Sequence, residues 1–236
     1  MVKGRQFGNY RDTGDPVSAA RIYNAQYVDE LAFIDIDATN ESRATNKEII
    51  LKVSKECFMP LTIGGGINSV DAIRELLLVG ADKVIINTAA YTDENLIRES
   101  SEMFGKQCII IGIDVKLEEN QYVLYKNSGR IRCDISLKDH LKKMESIGAG
   151  EFFINNISQD GMMDGYDIDL INLVNNNTRL PVIACGGAGN FKHLADAYTQ
   201  TVVSGLAMAS IFHFGDNNPI RARAYLKNNK VPIKEI

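Results

Sequence analysis

A chain of 236 residues with 45% apolar residues can bury a full core, and it is large for one domain but ordinary for an α/β barrel. A net charge of -4 with interspersed signs and no basic cluster argues against nucleic acid as the main partner, and leaves small anions that backbone N–H groups and helix ends can bind. No apolar run approaches the roughly 18 residues a membrane span needs, and MVKGRQFGNY has no apolar signal core, so a cytoplasmic protein is expected.

The opening GRQFGNYRDTGDP reads as a polar loop leading into a helix with Asp15 as N-cap and Pro16 at the first helical position. Strand and helix patterns then alternate. LAFIDIDA at 31–38, PLTIGG at 60–65, KVIINT at 83–88 and CIIIGIDV at 108–115 are short runs rich in β-branched and apolar residues. Polar–apolar alternation at 117–133, around Asn127-Ser128-Gly129, predicts a β-hairpin inserted at the face where the strands end. EFFINNI at 151–157, PVIACGG at 181–187 and VVSGLAMAS at 202–210 bring the strands to seven. Between them, VDAIRELLLVG carries Ile73, Leu76 and Leu77 at helix spacing, and LKDHLKKMESIGAG sets Leu137, Leu141 and Met144 on one face. Strands that are continuously apolar and separated by helices indicate a parallel sheet covered on its outer side. Cys57, Cys108, Cys133 and Cys185 form no C-x-x-C pair and read as reduced structural thiols. His140, His193 and His213 have no metal-ligand spacing, so neither a metal site nor a cofactor is expected.

A closed barrel of this type takes eight β/α units, and an internal repeat points to one despite the count of seven. From Gly65 to Asn87-Thr88 is 22 and 23 residues, and from Gly187 to Ala209-Ser210 is 22 and 23 again. The strand with Phe33 corresponds likewise to the strand with Phe153, at an offset of about 120 residues. The strand left without a twin is CIIIGIDV, whose counterpart would end about six residues before Met1. The expectation is therefore one (β/α)8 barrel domain over 1–236, built of half-barrels at about 1–104 and 105–236, with its first strand outside this chain.

Ligands of such barrels sit at the C-terminal ends of the strands, where glycine turns let backbone N–H groups approach a phosphate and a helix N-terminus adds partial positive charge. Two half-sites at equal spacing suggest a long ligand with a phosphate at each end. Asp114 closes an otherwise apolar strand and suits a general acid or base, with a structural Asp as the alternative. Asp35 and Asp37 alternate in one strand and would share a face, pointing to the mouth or filling a layer. Asp160-Gly161 is either a functional strand end or a plain turn. Lys3 and Arg11 lie in the opening loop, which could close over an anion, or are solvated cations.

VKGRQFGNYRDTGDPVSAARIYN, DELAFIDIDAT, LTIGGGI, GADKVIINTAA, IGIDVK, DGMMDGYD, VIACGGAG and ASIFHF, in this order from Val2 to about Phe214, resemble the cyclase subunit of imidazole glycerol phosphate synthase. The resemblance implies a twofold-repeated (β/α)8 barrel in histidine biosynthesis that takes ammonia from a partner glutaminase, as a heterodimer. It joins that ammonia to a doubly phosphorylated substrate, releasing imidazole glycerol phosphate and an aminoimidazole carboxamide ribonucleotide. It implies Asp114 as a catalytic aspartate, Gly66, Asn87 and Thr88 in one phosphate site, Asp160, Gly161, Gly187, Ala209 and Ser210 in the other, and Lys3 as a closing lysine. Glu30, Lys83 and Glu151 match residues at the opposite end, where ammonia enters, and Asp82 resembles a docking residue for the partner; a solvated ion-pair cluster is the alternative. Two departures stand out. The family's other catalytic aspartate lies on the first strand, so a carboxylate pair is not complete in this chain, and Asn155, Ser158 and Met162 replace the usual Thr or Ser, Asp and Thr. These departures lean towards a similar branch that supplies ammonia for sugar amidation in surface-polysaccharide synthesis without ring closure. The related sugar-phosphate isomerase shares the repeat but fits ASIFHF and RDTGDP less well.

Overall fold

Polar and small residues open the chain, yet they do not form a loop. In the computed structural model, which describes residues 1–234, β1 (Val2–Arg5) and β2 (Gly8–Asp12) form an antiparallel hairpin, with Gln6 and Phe7 at positive φ in its two-residue turn. No glycine marks that turn, so the sequence gives it no signal. Helix α1 (Pro16–Ala25) starts as expected: Pro16 is at its first position and the Asp15 carboxylate accepts from the Ser18 N–H at 2.8 Å.

The elements that follow are β3 (Leu31–Ile34), α2 (Lys47–Ser54), β4 (Leu61–Gly64), α3 (Val70–Leu78), β5 (Lys83–Ile86), α4 (Glu94–Phe104), β6 (Ile109–Glu118), β7 (Gln121–Lys126) and β8 (Ile131–Arg132). They continue with α5 (Leu137–Ile147), β9 (Glu151–Asn156), α6 (Ile168–Asn175), β10 (Val182–Cys185), α7 (Phe191–Gln200), β11 (Gly205–Leu206) and α8 (Pro219–Asn228). Seven strands pair in parallel in the order β11-β10-β9-β6-β5-β4-β3. The predicted hairpin is present as an antiparallel extension of β6 onto β7 and β8, turning first at Glu119-Asn120, both at positive φ, and then at Asn127-Ser128-Gly129.

Strand period explains why these segments look uniformly apolar. In β6, Ile109, Ile111, Ile113 and Val115 face the helices, and Ile110, Gly112 and Asp114 alternate with them on the other face. Ile110 packs there with Ile85, Phe153 and Ile183 from three other strands. Lys83 of β5 reaches both Glu30, just before β3, and Glu151 of β9. Those strands lie two positions away on either side, so the sheet curls and its second face is an interior, as in a (β/α)8 barrel. β3 and β11 end the strand order, and Ile34 on β3 is correspondingly 42% exposed.

One strand expectation is corrected. β3 stops at Ile34, so Asp35 and Asp37 do not alternate along a strand. The Asp35 carboxylate accepts from the Ala38 N–H at 3.2 Å and takes two bonds from the Arg43 guanidinium at 2.6 and 2.9 Å, which makes it a turn-and-anchor residue. All four cysteines are free, and no helix among the described residues is long and apolar enough to cross a membrane.

Candidate active site

Inward positions at the C-terminal ends of adjacent strands bring Asn87, Asp114, Asn155 and Cys185 together, because Asp114 is in register with Asn155 and Asn155 with Cys185. The Asn87 Nδ2 donates to Asp114 Oδ2 at 3.0 Å. Burial, with the nearby Asp160 charge, raises the Asp114 carboxyl to about 7, and burial raises Asp160 to about 6. A carboxyl with that midpoint can give or take a proton near neutral pH. Burial pushes the Cys185 thiol up, which keeps it protonated and inert as a nucleophile. The side-chain oxygens of Asn87 and Asn155 are buried without a partner, so the mouth holds unused acceptors beside Asp114. Period and register, not residue type, put them there, and the sequence pointed to Asn155 only as a departure.

The two glycine loops are built alike. Gly65 has φ +100°, and a Cβ on it would lie 2.1 Å from the Asp35 carbonyl oxygen; Gly187 has φ +105°, and its Cβ would lie 1.8 Å from the Gly165 carbonyl oxygen. Only glycine fits either place. After each neighbouring strand the chain enters a 3-10 turn, Thr88–Tyr91 following Asn87 and Ser210–Phe212 following Ala209. The pairs Gly65 and Gly187, Asn87 and Ala209, and Thr88 and Ser210 are each 122 positions apart. β6 lies between the strand pairs β4–β5 and β10–β11 in the sheet, so Asp114 stands between the half-sites.

At the first half-site the Gly66 N–H donates to Thr39 Oγ1 at 3.3 Å, and Thr88 Oγ1 accepts from the Asn127 N–H at 3.0 Å. Ser128 Oγ donates to the Ile36 carbonyl at 2.9 Å and accepts from Asn40 Nδ2 at 3.1 Å, so the inserted hairpin is tied down here. At the second, the opening hairpin packs onto Asp160-Gly161. The Gln6 N–H donates to the Asp160 carbonyl at 2.9 Å, and Gly161, at φ +70°, leaves only 1.9 Å between a would-be Cβ and the Gly4 carbonyl oxygen. Lys3 Nζ lies 3.2 Å from Met163 Sδ, and the Arg11 guanidinium stacks 4.0 Å from the Phe214 ring centroid.

At the other end of the interior, Lys83 Nζ sits 3.2 Å from Glu30 and 3.3 Å from Glu151. Burial works against the Lys83 charge, but Glu151 and Glu30 outweigh it and raise its pKa; burial raises Glu151 despite Lys83. This is a half-buried network, not a solvated pair. Asp82 is exposed, and one of its oxygens accepts from the Leu61 N–H at 2.8 Å, bracing the start of β4.

The family described as histidine biosynthesis protein matches residues 1–218 of the chain. Imidazole glycerol phosphate synthase subunit HisF of Chlorobium limicola is 42% identical over 234 residues, covering 99% of this chain and 93% of the relative. The subunit HisF of a Hydrogenobaculum species is 43% identical over 235 residues, with the same coverage of each. That of Pelodictyon phaeoclathratiforme is 41% identical over 234 residues.

Proposed function

Because the chain belongs to the histidine biosynthesis protein family, we propose that it is the cyclase subunit of imidazole glycerol phosphate synthase, a lyase-type enzyme of amino-acid biosynthesis. What carries this beyond family membership is the position of Asp114, with its midpoint near neutrality, between two half-sites of the same build. The two phosphates of a formimino-aminoimidazole carboxamide ribonucleotide would rest on Gly66, Asn87 and Thr88 at one end and on Gly161, Gly187, Ala209 and Ser210 at the other. Lys3 on the opening hairpin would close on the second phosphate beside Asp160. Asp114 would pass the proton as ammonia adds and the ring closes.

Ammonia would come from a glutaminase partner docked near Asp82, past Lys83, Glu30 and Glu151. The apolar layer of Ile85, Ile110, Phe153 and Ile183 would admit neutral ammonia and reject ammonium, which cannot shed its hydration there. The 122-residue repeat supports two half-barrels, at about 1–104 and 105–236, folded as one domain. Asn155 beside Asp114, where the family usually has Thr or Ser, favours the second reading, a paralogue that supplies ammonia for sugar amidation without ring closure. The test is conversion of the bisphosphate substrate at high ammonium, which bypasses any partner. Turnover is expected, falling by about two orders of magnitude or more in Asp114→Asn. No turnover by a folded chain would leave two explanations, the incomplete carboxylate pair or a branch that supplies ammonia, and a chain that carries the second carboxylate and still fails would overturn the cyclase assignment.

A further inference from the structure

The 3-10 turn after β5, the β7–β8 end of the hairpin and α5 border a half-open cavity of about 290 Å³. None of the residues assigned above to the mouth or the ammonia end lines it. Two of its walls are a stacked pair, with the Tyr91 and His140 rings 4.2 Å apart between centroids and 9° between planes. His140 is only 1% exposed. Both the Tyr91 hydroxyl and His140 Nε2 are buried with no hydrogen-bond partner, a state that folds ordinarily avoid by supplying one. Burial, with Lys143 adding to it, lowers the His140 imidazole to about 4, so at neutral pH the ring is uncharged and offers one donor and one acceptor. Burial raises Tyr91, which keeps its hydroxyl protonated and able to donate.

The rest of the lining is cationic: Lys126, Arg132 and Lys143 stand against the single carboxylate of Asp134. Lys143 pairs with Glu94 at 2.6 Å and Arg132 with Glu118 at 3.4 Å, while Lys126 makes no ion pair among the described residues. Three cations against one carboxylate suit a ligand with a negative end. The volume is at the lower end of what small-molecule sites use, which fits a compact metabolite and is too small for a nucleotide cofactor.

We propose that this flank cavity binds a small organic oxyanion, a carboxylate or a phosphate ester, with its charged end on Lys126, Arg132 and Lys143 and its body against the wall made by Tyr91 and His140. The chain has three histidines, so the ring resonances of His140 can be followed singly by NMR at constant ionic strength. Inorganic phosphate and succinate are the two probes. A saturable shift of the His140 signals is expected with at least one: phosphate alone identifies a phosphate ester, succinate alone a carboxylate, and both the shared oxyanion chemistry. Lys126→Ala/Lys143→Ala should weaken this binding by about tenfold or more. Tyr91→Phe, which deletes a hydroxyl that has no partner in the fold, should weaken it a few-fold at most. His213 follows Ser210–Phe212, outside the flank cavity, so its signals read phosphate at that mouth half-site separately and the two sites succeed or fail independently. No saturable shift at His140 with either probe, or unchanged affinity in both variants, would overturn the proposal.

Discussion

Replacing Asp114 by Asn removes one titrating proton and little else, because the amide oxygen can still accept from Asn87 Nδ2 in place of the carboxylate oxygen 3.0 Å away. Asp114 titrates near 3.8 in an unfolded chain and near 7 in the fold, where burial and then the Asp160 charge disfavour its ionised form. Between those values the folded protein holds a proton that the unfolded chain has lost, so stability falls as pH rises through this window and levels off above about 7. At about 1.4 kcal/mol per pH unit, the part between pH 5 and 7 is worth roughly 2–3 kcal/mol. The variant lacks this loss. Urea unfolding of both proteins at pH 5 and pH 8 reads it together with its coupling to Asp160, since the remaining carboxylates contribute equally to each and cancel in the difference. Asp114→Asn should gain stability over the parent by roughly 2–3 kcal/mol on going from pH 5 to 8, at the pH where its activity is lost. A gap that stays constant or narrows would show that Asp114 titrates like an exposed carboxyl and would remove the basis for calling it an acid–base group.

Gly187→Ala forces a side chain into φ +105° with its Cβ 1.8 Å from the Gly165 carbonyl oxygen, and should cost about 3 kcal/mol or more; Gly215→Ala, with nothing within 4 Å, should melt like the parent in the same thermal scan. Tyr122→Phe removes a hydroxyl that donates to Asp167 at 2.9 Å, and Asp167 also caps α6 through the Leu170 N–H; a loss of about 1–2 kcal/mol by chemical denaturation is expected. Hydrogen exchange should find the amides of β3 and β11, which end the strand order, less protected than those of β6 and β9, and equal protection would mean that both edges are covered in solution.

How much the sequence reveals follows the physics of each element. The parallel strands are readable because helices cover one face and the barrel interior the other, which leaves residues 109–113 of β6 and 152–154 of β9 without a polar side chain on either face. β3 ends at Ile34 although FIDIDA keeps its alternation beyond it, because Asp35 leaves the ladder to hold Arg43 and the Ala38 N–H. The opening hairpin and the Glu119-Asn120 turn were not marked at all, since residues other than glycine take the positive φ there and only the packing of β1 and β2 on Asp160-Gly161 or the pairing of β7 with β6 stabilises it.

The site divides the same way. Asp114 is visible as one carboxylate in an apolar strand, and the glycine loops are visible because no other residue tolerates their backbone. Asn87 is marked by the repeat spacing but its bond to Asp114 is not, Asn155 comes beside Asp114 only through strand register, and Tyr91 and His140 lie 49 positions apart until the sheet and α5 stack their rings. Residues whose role depends on backbone conformation can be read locally. Residues whose role depends on what faces them need the fold, and in this chain that second group supplies both the unused acceptors at the mouth and the unpartnered hydroxyl and imidazole of the flank cavity.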